Sequence, residues 1–480
     1  MPLTATSFLP AAGIGAARLV DQMLRTRLTR TVAVLVVASA MWAANPGSAA
    51  GPETAINGGA TAAAPARNIT VPGDLVSVYN FGPLAPAVSN AAVSAAVEAG
   101  AWAVVGRGFG IGLVMVTRNG VPVHSAPGPL GSWYFPTSVT ALPMDSIAAA
   151  MGRGVSSIIS TGQVVMGATS ASLSGAQAGD VLHLVSADGS VKQFVVGRVA
   201  PDDEVGGTEV VMSTDQADSL GAVIPTSVLI YGQFDRNQLN ASLAARGLGT
   251  DPKIRIRRSW DPFDPDNTIG LAKTKKLLGE FAYRVTDSGA VLVDDSWRAA
   301  FIPNREPYPT GIFAACNNAI RADLTAALQA VVDAGLAGLI DVGNANTFGG
   351  CFGPRFTRIV GTQLGSLSRH TWAQALDTNT VANCQGCVPQ MDCRIVRIFR
   401  AHNFAWGGNF INPDGMHFEW VGEPRNTFLY PSRYCPNVAG GGLQAFGVSP
   451  GGGPIDAPLA AQQDSRGTMF ADDGWALAGD

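Results

Sequence analysis

Ser368-Arg369-His370-Thr371-Trp372-Ala373-Gln374-Ala375-Leu376-Asp377-Thr378-Asn379 is one of two stretches that organise this chain. The other is Trp406-Gly407-Gly408-Asn409-Phe410-Ile411-Asn412-Pro413-Asp414-Gly415-Met416-His417-Phe418-Glu419-Trp420. Together they hold two of the five histidines in the sequence, each with a carboxylate close by. Two imidazoles and one carboxylate are a common donor set for a catalytic zinc ion, which keeps its fourth position for water.

The local patterns say how such donors can meet. Ala375-Leu376-Asp377-Thr378-Asn379 reads as a strand, so Ala375, Asp377 and Asn379 share one face. His370 lies an odd number of positions before Asp377, which on one straight strand would put the two on opposite faces. The spacing therefore predicts that His370 arrives from a preceding loop or turn. His417-Phe418-Glu419-Trp420 reads as a second strand, with His417 and Glu419 on one face and Phe418 in the core. Pro413-Asp414-Gly415 is turn chemistry and lets Asp414 fold back toward His417. The small Ala373 and Ala375 leave room for close packing.

Outward from these stretches, the cysteines are Cys316, Cys351, Cys384, Cys387, Cys393 and Cys435, all in the last third of the chain. An even number in one region reads as up to three disulfides, of unassigned connectivity. A zinc ribbon through Cys384 and Cys387 is the competing reading, but it lacks a second pair at matching spacing. The start of the chain agrees with an oxidising destination. A basic stretch, 23–30, precedes an uncharged apolar run, 32–44, and then small residues at 47–50. This is the plan of a secretory signal peptide, with cleavage expected near Ala49 or Ala50. The run is too short to span a bilayer, and no later segment is apolar enough, so no stable membrane span is expected after cleavage.

The 480 residues divide on composition into several parts. Residues 1–50 read as leader and signal peptide, 51–72 as a flexible linker and 73–236 as a β-rich domain. Residues 237–275 read as a linker, 276–437 as a second domain and 438–480 as a disordered Gly/Pro/Ala-rich tail. Within 73–236, strands are expected around 101–105 and 111–116, a hairpin over 181–196 and a helix near 144–151. The segment 171–231 resembles, in its strand pattern, the extracytoplasmic core domain of MacB-type exporters. His124 and His183, in this region, read as packed or exposed residues without a partner nearby. In 237–275, Lys253, Arg255, Arg257, Arg258, Lys273, Lys275 and Lys276 read as a solvated linker rather than a polyanion-binding patch. In the second domain Ile320, Leu324, Leu328 and Val331 follow helical spacing, with Asn317 or Asn318 as cap and Gly335 as stop. His402 closes a helix expected over 394–402 and reads as structural. A net charge of −4, from Lys+Arg 32 and Asp+Glu 36, gives no basic surface for nucleic acid.

The first stretch resembles the Ser-x-His-x-x-Gly-x-Ala-x-Asp signature of the VanY-like zinc peptidases, the D-alanyl-D-alanine carboxypeptidases and L-alanyl-D-glutamate endopeptidases. The second resembles their Trp-Gly-Gly…Asp-x-x-His-Phe-Glu signature. The resemblance covers roughly 276–437. It implies an α+β fold, in which a zinc peptidase domain with a small antiparallel sheet and packed helices follows the β-rich amino-terminal domain. It also implies Zn2+ as cofactor, with His370, Asp377 and His417 as ligands and Asp414 as general base. Arg355 would contact the substrate carbonyl or carboxylate, with Arg358 as competitor. Glu419 competes for the role of base on geometry, whereas the family pattern gives it a supporting role beside His417. Ser368 and Trp406 would shape the site. Ala373 departs from the pattern, which has Gly there. The implied function is a secreted peptidase of the cell wall or periplasmic space acting on peptidoglycan stem peptides. The alternative is an extracytoplasmic binding protein in which the zinc domain is structural or recognises the wall.

Overall fold

The computed structural model describes residues 74–80, 82–249, 251, 253–344, 346–357 and 365–437. The expected signal peptide, the 51–72 linker, the 438–480 tail and Arg358 lie outside the described residues. All described residues fall in one compact unit.

Ten strands form the first sheet: β1 (Asp74–Asn80), β2 (Trp102–Arg118), β3 (Val121–Ser125), β4 (Phe135–Leu142), β5 (Val164–Gly167), β6 (Val181–Val185), β7 (Val191–Ala200), β8 (Val210–Ser213), β9 (Ser227–Gly232) and β10 (Ile254–Arg258). The order β2-β4-β8-β5-β7-β6 closes on itself because β6 returns to pair with β2, Leu113 opposite Leu184 and Thr117 opposite Val181. Closure removes exposed strand edges. Ile111, Leu113, Val139, Val164, Met166, Leu182, Leu184, Val196, Val210 and Met212 pack together as one core. The edge β9-β1-β10 is covered by α1 (Pro86–Glu98). Its Ala92, Ala95 and Ala96, fully buried, let the helix approach the sheet closely.

The two strands expected around 101–105 and 111–116 are one, β2, and glycine explains the misreading. Gly106, Gly108, Gly110 and Gly112 occupy alternate positions and interrupt the apolar pattern. They share one face, and close neighbours take the place of side chains there. A Cβ on Gly110 would sit 2.4 Å from the Gly365 carbonyl oxygen, and one on Gly112 would sit 2.8 Å from the Tyr134 ring. Glycine inside a strand marks such an approach. The expected hairpin is β6–β7, and the helix near 144–151 is α2 (Met144–Met151). Short helices α3 (Arg153–Ile159), α4 (Ala168–Ser174) and α5 (Thr214–Ser219) complete this half.

The stretch 237–275 is built into the fold rather than solvated. It holds most of α6 (Arg236–Ala245), all of β10, which pairs with β1, and most of α7 (Leu271–Leu278). Arg257, Arg258 and Lys275 are buried. Each has an oxygen partner at long range or across a turn: Arg257 donates to Asn267, and Arg258 donates to Asn240 and pairs with Asp261. Lys275 lies 2.5 Å from Glu209 and 2.7 Å from Glu280 and donates to the Pro136 carbonyl at 3.0 Å. Charges that read as water-seeking in the sequence are paired inside. Through-space partners also correct the reading of His124 and His183. His124 stacks on Phe135 with Nε2 3.2 Å from Glu280, and His183 Nε2 lies 3.0 Å from Thr117 Oγ1.

The second half holds two small hairpins, β11 (Tyr283–Val285) with β12 (Val291–Val293) and β13 (Glu306–Pro307) with β14 (Phe313–Ala314). Helices α8 (Asp295–Phe301), α9 (Arg321–Asp333) and α10 (Cys393–Ala401) pack with a four-stranded antiparallel sheet. That sheet comprises β15 (Phe348–Gly349), β16 (Ala375–Thr378), β17 (Phe404–Trp406) and β18 (His417–Trp420), in the order β15-β16-β18-β17. The apolar spacing of α9 buries Leu324, Leu328 and Val331, and Gly335 follows at a positive φ of 70°. Asn317 precedes α9 as expected, but its side chain binds the Leu278 and Trp372 carbonyls and the Ala319 N–H rather than capping the first turn. Phe399 of α10 stacks on Phe418 of β18.

The two halves share a core. Val114, Tyr134 and Val185 pack in the same cluster as Phe281, Tyr283 and Phe356. Tyr134 and Tyr283 exchange both backbone hydrogen bonds, at 2.8 and 2.7 Å. Disulfides join Cys316 to Cys351, Cys384 to Cys387 and Cys393 to Cys435. The last two pairings leave no thiolates for a ribbon.

Candidate metal centre

β16 and β18 pair antiparallel with Asp377 opposite His417 and Ala375 opposite Glu419. Asp377, His417 and Glu419 thereby share one face. His370 arrives from a 3₁₀ turn, Arg369–Trp372, whose N-cap Ser368 accepts the His370 N–H at 3.2 Å. The turn ends at Ala373, which adopts a left-handed φ of 52° and reverses the chain into β16. The departure from glycine noted in the sequence therefore falls where glycine is the unstrained residue.

His370, Asp377 and His417 each bring a ligand atom to one point, all within 4.8 Å of one another. His370 Nε2 lies 3.2 Å from Asp377 Oδ2, and His417 Nδ1 lies 3.2 Å from Asp377 Oδ1. The far nitrogen of each ring faces an acceptor. His370 Nδ1 is 3.3 Å from the Cys351 carbonyl oxygen, and His417 Nε2 is 3.5 Å from Glu419 Oε2. A carbonyl cannot donate, so Nδ1 is the donor in the His370–Cys351 contact and Nε2 is the atom left for a cation. His417 lies between two carboxylates, Asp377 at Nδ1 and Glu419 at Nε2, and a cation taken up at Nδ1 would leave Nε2 to donate to Glu419. With a cation present, two imidazole nitrogens and a carboxylate would face it together. The donor set fits zinc in type and number.

Burial works to raise the Asp377 carboxyl, but His370 and then His417 outweigh it and hold it well below the usual carboxylate range. Glu419 is buried and accepts from Arg369 Nε and Gln374 Nε2, both at 3.3 Å on Oε1. Arg369 Nη2 also donates to the Ile269 carbonyl at 2.8 Å. Glu419 is thus a fixed acceptor against His417. Arg369 and Gln374 had no assigned role in the sequence, although both sit inside the first signature beside a ligand.

Asp414 is fully buried in the turn before β18. Its N–H donates to the Gly407 carbonyl at 2.9 Å, and its carbonyl accepts the His417 N–H at 3.1 Å. A Cβ on Gly407 would lie 2.6 Å from the Asp414 carbonyl oxygen and 3.0 Å from His417 Cβ, so this glycine is the space the turn occupies. Trp406 is buried and donates from Nε1 to the Gly415 carbonyl at 2.9 Å, bracing the same turn. Arg355 is exposed, and its backbone is tied to the His370 turn through Ser368 N–H and Thr371. Arg355 Nη1 donates to the Gly353 carbonyl at 3.2 Å, and a Cβ on Gly353 would lie 3.9 Å from His370 Cβ. His402 is the C-cap of α10, its Nδ1 2.8 Å from the Ile398 carbonyl oxygen, away from this cluster's hydrogen bonds.

A family model described as D-alanyl-D-alanine carboxypeptidase matches residues 362–420, a span that contains His370, Asp377, Asp414, His417 and Glu419. The match supports a peptidase of the family that the two signatures resemble. No curated protein matches. Among solved structures, the extracellular domain of the noncanonic ABC-type transporter YknZ from Gram-positive bacteria is similar at 10% identity, over 38% of this chain and 98% of that one, with a TM-score of 0.24. A score that low carries no argument about the fold. Among the described residues, no helix is long and apolar enough to cross a membrane.

Proposed function

We propose that this chain is an exported zinc peptidase that hydrolyses peptide bonds in peptidoglycan stem peptides, of the D-Ala-D-Ala carboxypeptidase or L-Ala-D-Glu endopeptidase type. One observation carries the reading. Ligand atoms of His370, Asp377 and His417 converge, and each imidazole has its other nitrogen against an acceptor, so the converging nitrogens are the ones a cation would take. The family match adds the class of reaction, and the wall substrate follows from that family together with the expected export signal.

His370, Asp377 and His417 would hold the zinc, which when bound polarises a carbonyl and lowers the pKa of water to about 7. Asp414 accepts the proton of the attacking water and returns it to the leaving nitrogen. Its turn is buried and fixed at both ends by backbone hydrogen bonds. Arg355, tethered beside His370, binds a substrate carbonyl or carboxylate oxygen. Glu419 keeps the His417 tautomer, and Ser368 caps the turn that presents His370.

Asp414→Ala tests the assignment. The variant should retain one zinc per chain while hydrolysis of purified wall fragments falls by about 10²–10⁴-fold. A variant that digests at the wild-type rate would remove Asp414 from the mechanism. Mass spectrometry of the released fragments names the bond that is cut.

A further inference from the structure

The Cys384–Cys387 disulfide differs from the other two in three ways that bear on the site. It spans only three positions, whereas the others span 35 and 42. Both its cysteines are half-buried, whereas Cys316, Cys351, Cys393 and Cys435 are all buried. It also lies against the turn that carries Asp414. Gly386, inside the disulfide loop, donates its N–H to the Pro413 carbonyl at 2.6 Å, and Met416 N–H donates to the Asn383 carbonyl at 3.2 Å. Gln385 pairs with Asp414 as an isolated antiparallel bridge. Gly386 adopts a φ of 83°, so its N–H is aimed by a left-handed backbone. A Cβ on Gly415 would lie 2.8 Å from Asn383 Oδ1, which leaves the turn little room to move while the loop is closed.

We propose that Cys384 and Cys387 form a thiol–disulfide exchange site, taking an external dithiol as reductant, and that their redox state sets the position of the Asp414 turn. In the exchange, a thiolate of the reductant attacks one of the two sulfurs, forming a mixed disulfide and releasing the other as a thiolate. The reductant's second thiol then displaces the first sulfur. Two electrons and two protons pass to the pair, giving two thiols and an oxidised reductant. A Cys-x-x-Cys pair that solvent reaches is the kind that exchanges readily, while the buried pairs are protected. The opened loop frees Gly386 and Gln385 from their fixed geometry. The Pro413–Met416 turn then loses its support on one side, and with it the alignment of the Asp414 carboxylate. The activity arm of this inference rests on the peptidase reading; the labelling and exchange arms do not.

The test uses the full chain loaded with zinc and titrated with a phosphine reductant, which replaces the dithiol so that no chelating thiol strips the metal. Trapping with N-ethylmaleimide and peptide mapping give the order of reduction. Hydrogen exchange over 413–417 reports the turn, and hydrolysis of a stem peptide reports the site. Cys384 and Cys387 should label at reductant concentrations about tenfold below those that label the other four. Exchange over 413–417 should rise, and kcat should fall about tenfold and recover on reoxidation. The Cys384→Ser, Cys387→Ser double variant should run at the reduced wild-type rate and ignore the reductant, which excludes an effect of the phosphine on zinc. Labelling of all six cysteines together overturns the proposal. So does selective labelling of the pair with neither the exchange nor the rate changing. If the zinc-loaded chain cleaves nothing in either redox state, the peptidase reading fails, and labelling order with hydrogen exchange decides the redox site alone.

Discussion

Replacing Glu419 with Gln separates orientation of a ligand from catalysis of the reaction. Glu419 accepts from three donors: Arg369 and Gln374 on one oxygen, His417 on the other. A glutamine offers one acceptor oxygen and an NH₂ in place of the second. If its oxygen stays with Arg369 and Gln374, the NH₂ faces His417 Nε2. That contact favours the ring proton on Nδ1, the atom that points at Asp377, where it competes with a cation. If the amide turns round, buried Arg369 is left against an NH₂. Partners of this kind typically control 10–100-fold in metal affinity, which is about 1.4–2.7 kcal/mol. Zinc affinity of Glu419→Gln, measured by competition with a chromophoric chelator, should fall by that amount. At saturating zinc, kcat on a stem peptide should stay within about fivefold of wild type if Asp414 is the proton-transferring carboxylate, as proposed. The opposite split refutes the reasoning: unchanged zinc affinity with kcat lower by about 10²–10⁴ would make Glu419 the base. Asp414→Ala supplies the mirror pattern in the same assays.

Other expectations rest on separate contacts. Lys275→Met leaves buried Glu209 and half-buried Glu280 without their cation and should cost about 3–5 kcal/mol, read from the urea midpoint. Burial pushes Glu280 up, but Lys275 and then His124 outweigh it and bring it down to about 2. Its contribution is therefore full above its ordinary value of about 4.3 and lost as pH falls toward 2. The deficit of Lys275→Met should shrink over the same range, and a deficit independent of pH would contradict this. Ala373→Gly removes a left-handed strain of about 1–2 kcal/mol and adds unfolded-state freedom of about 0.4–1 kcal/mol. The melting temperature should hold or rise slightly, and a loss above about 1 kcal/mol would show that the methyl contributes more than the backbone costs. Gly407→Ala drives a Cβ into the Asp414 carbonyl oxygen and against His417 Cβ, so kcat on a stem peptide should fall at least about tenfold.

Much of the site was legible because its geometry is local. The alternation in 375–378 and 417–420 gives strands whose faces follow from a period of two. The odd offset of His370 correctly demands a turn, which Ser368 caps. The pairing of β16 with β18 then aligns Asp377 and His417, a step that alternation alone does not supply. What stayed hidden depends on partners far along the chain. Lys275 meets Glu209 from the first half, and Arg369 meets both Ile269 and Glu419; no window of sequence contains such pairs. The charges of 237–275 looked solvated because a buried ion pair has the same composition as an exposed one. β2 looked like two strands because its glycines record the close approach of Gly365 and Tyr134, not a break in the chain. The three disulfides were expected in number, but their pairing follows from tertiary placement.

The joint between the halves has a consequence for heredity and for engineering. Tyr283 bonds to Tyr134 strand-fashion, and Phe281, Tyr283 and Phe356 share their packing with Val114 and Val185. A fragment begun at residue 276 would turn those aromatic rings out to water and would shed Lys275 from its two acids. A chimera that lends the second half to another scaffold must carry β2, β6 and Tyr134 with it. Gene rearrangement faces the same restriction, because each half would lose part of the core the two share.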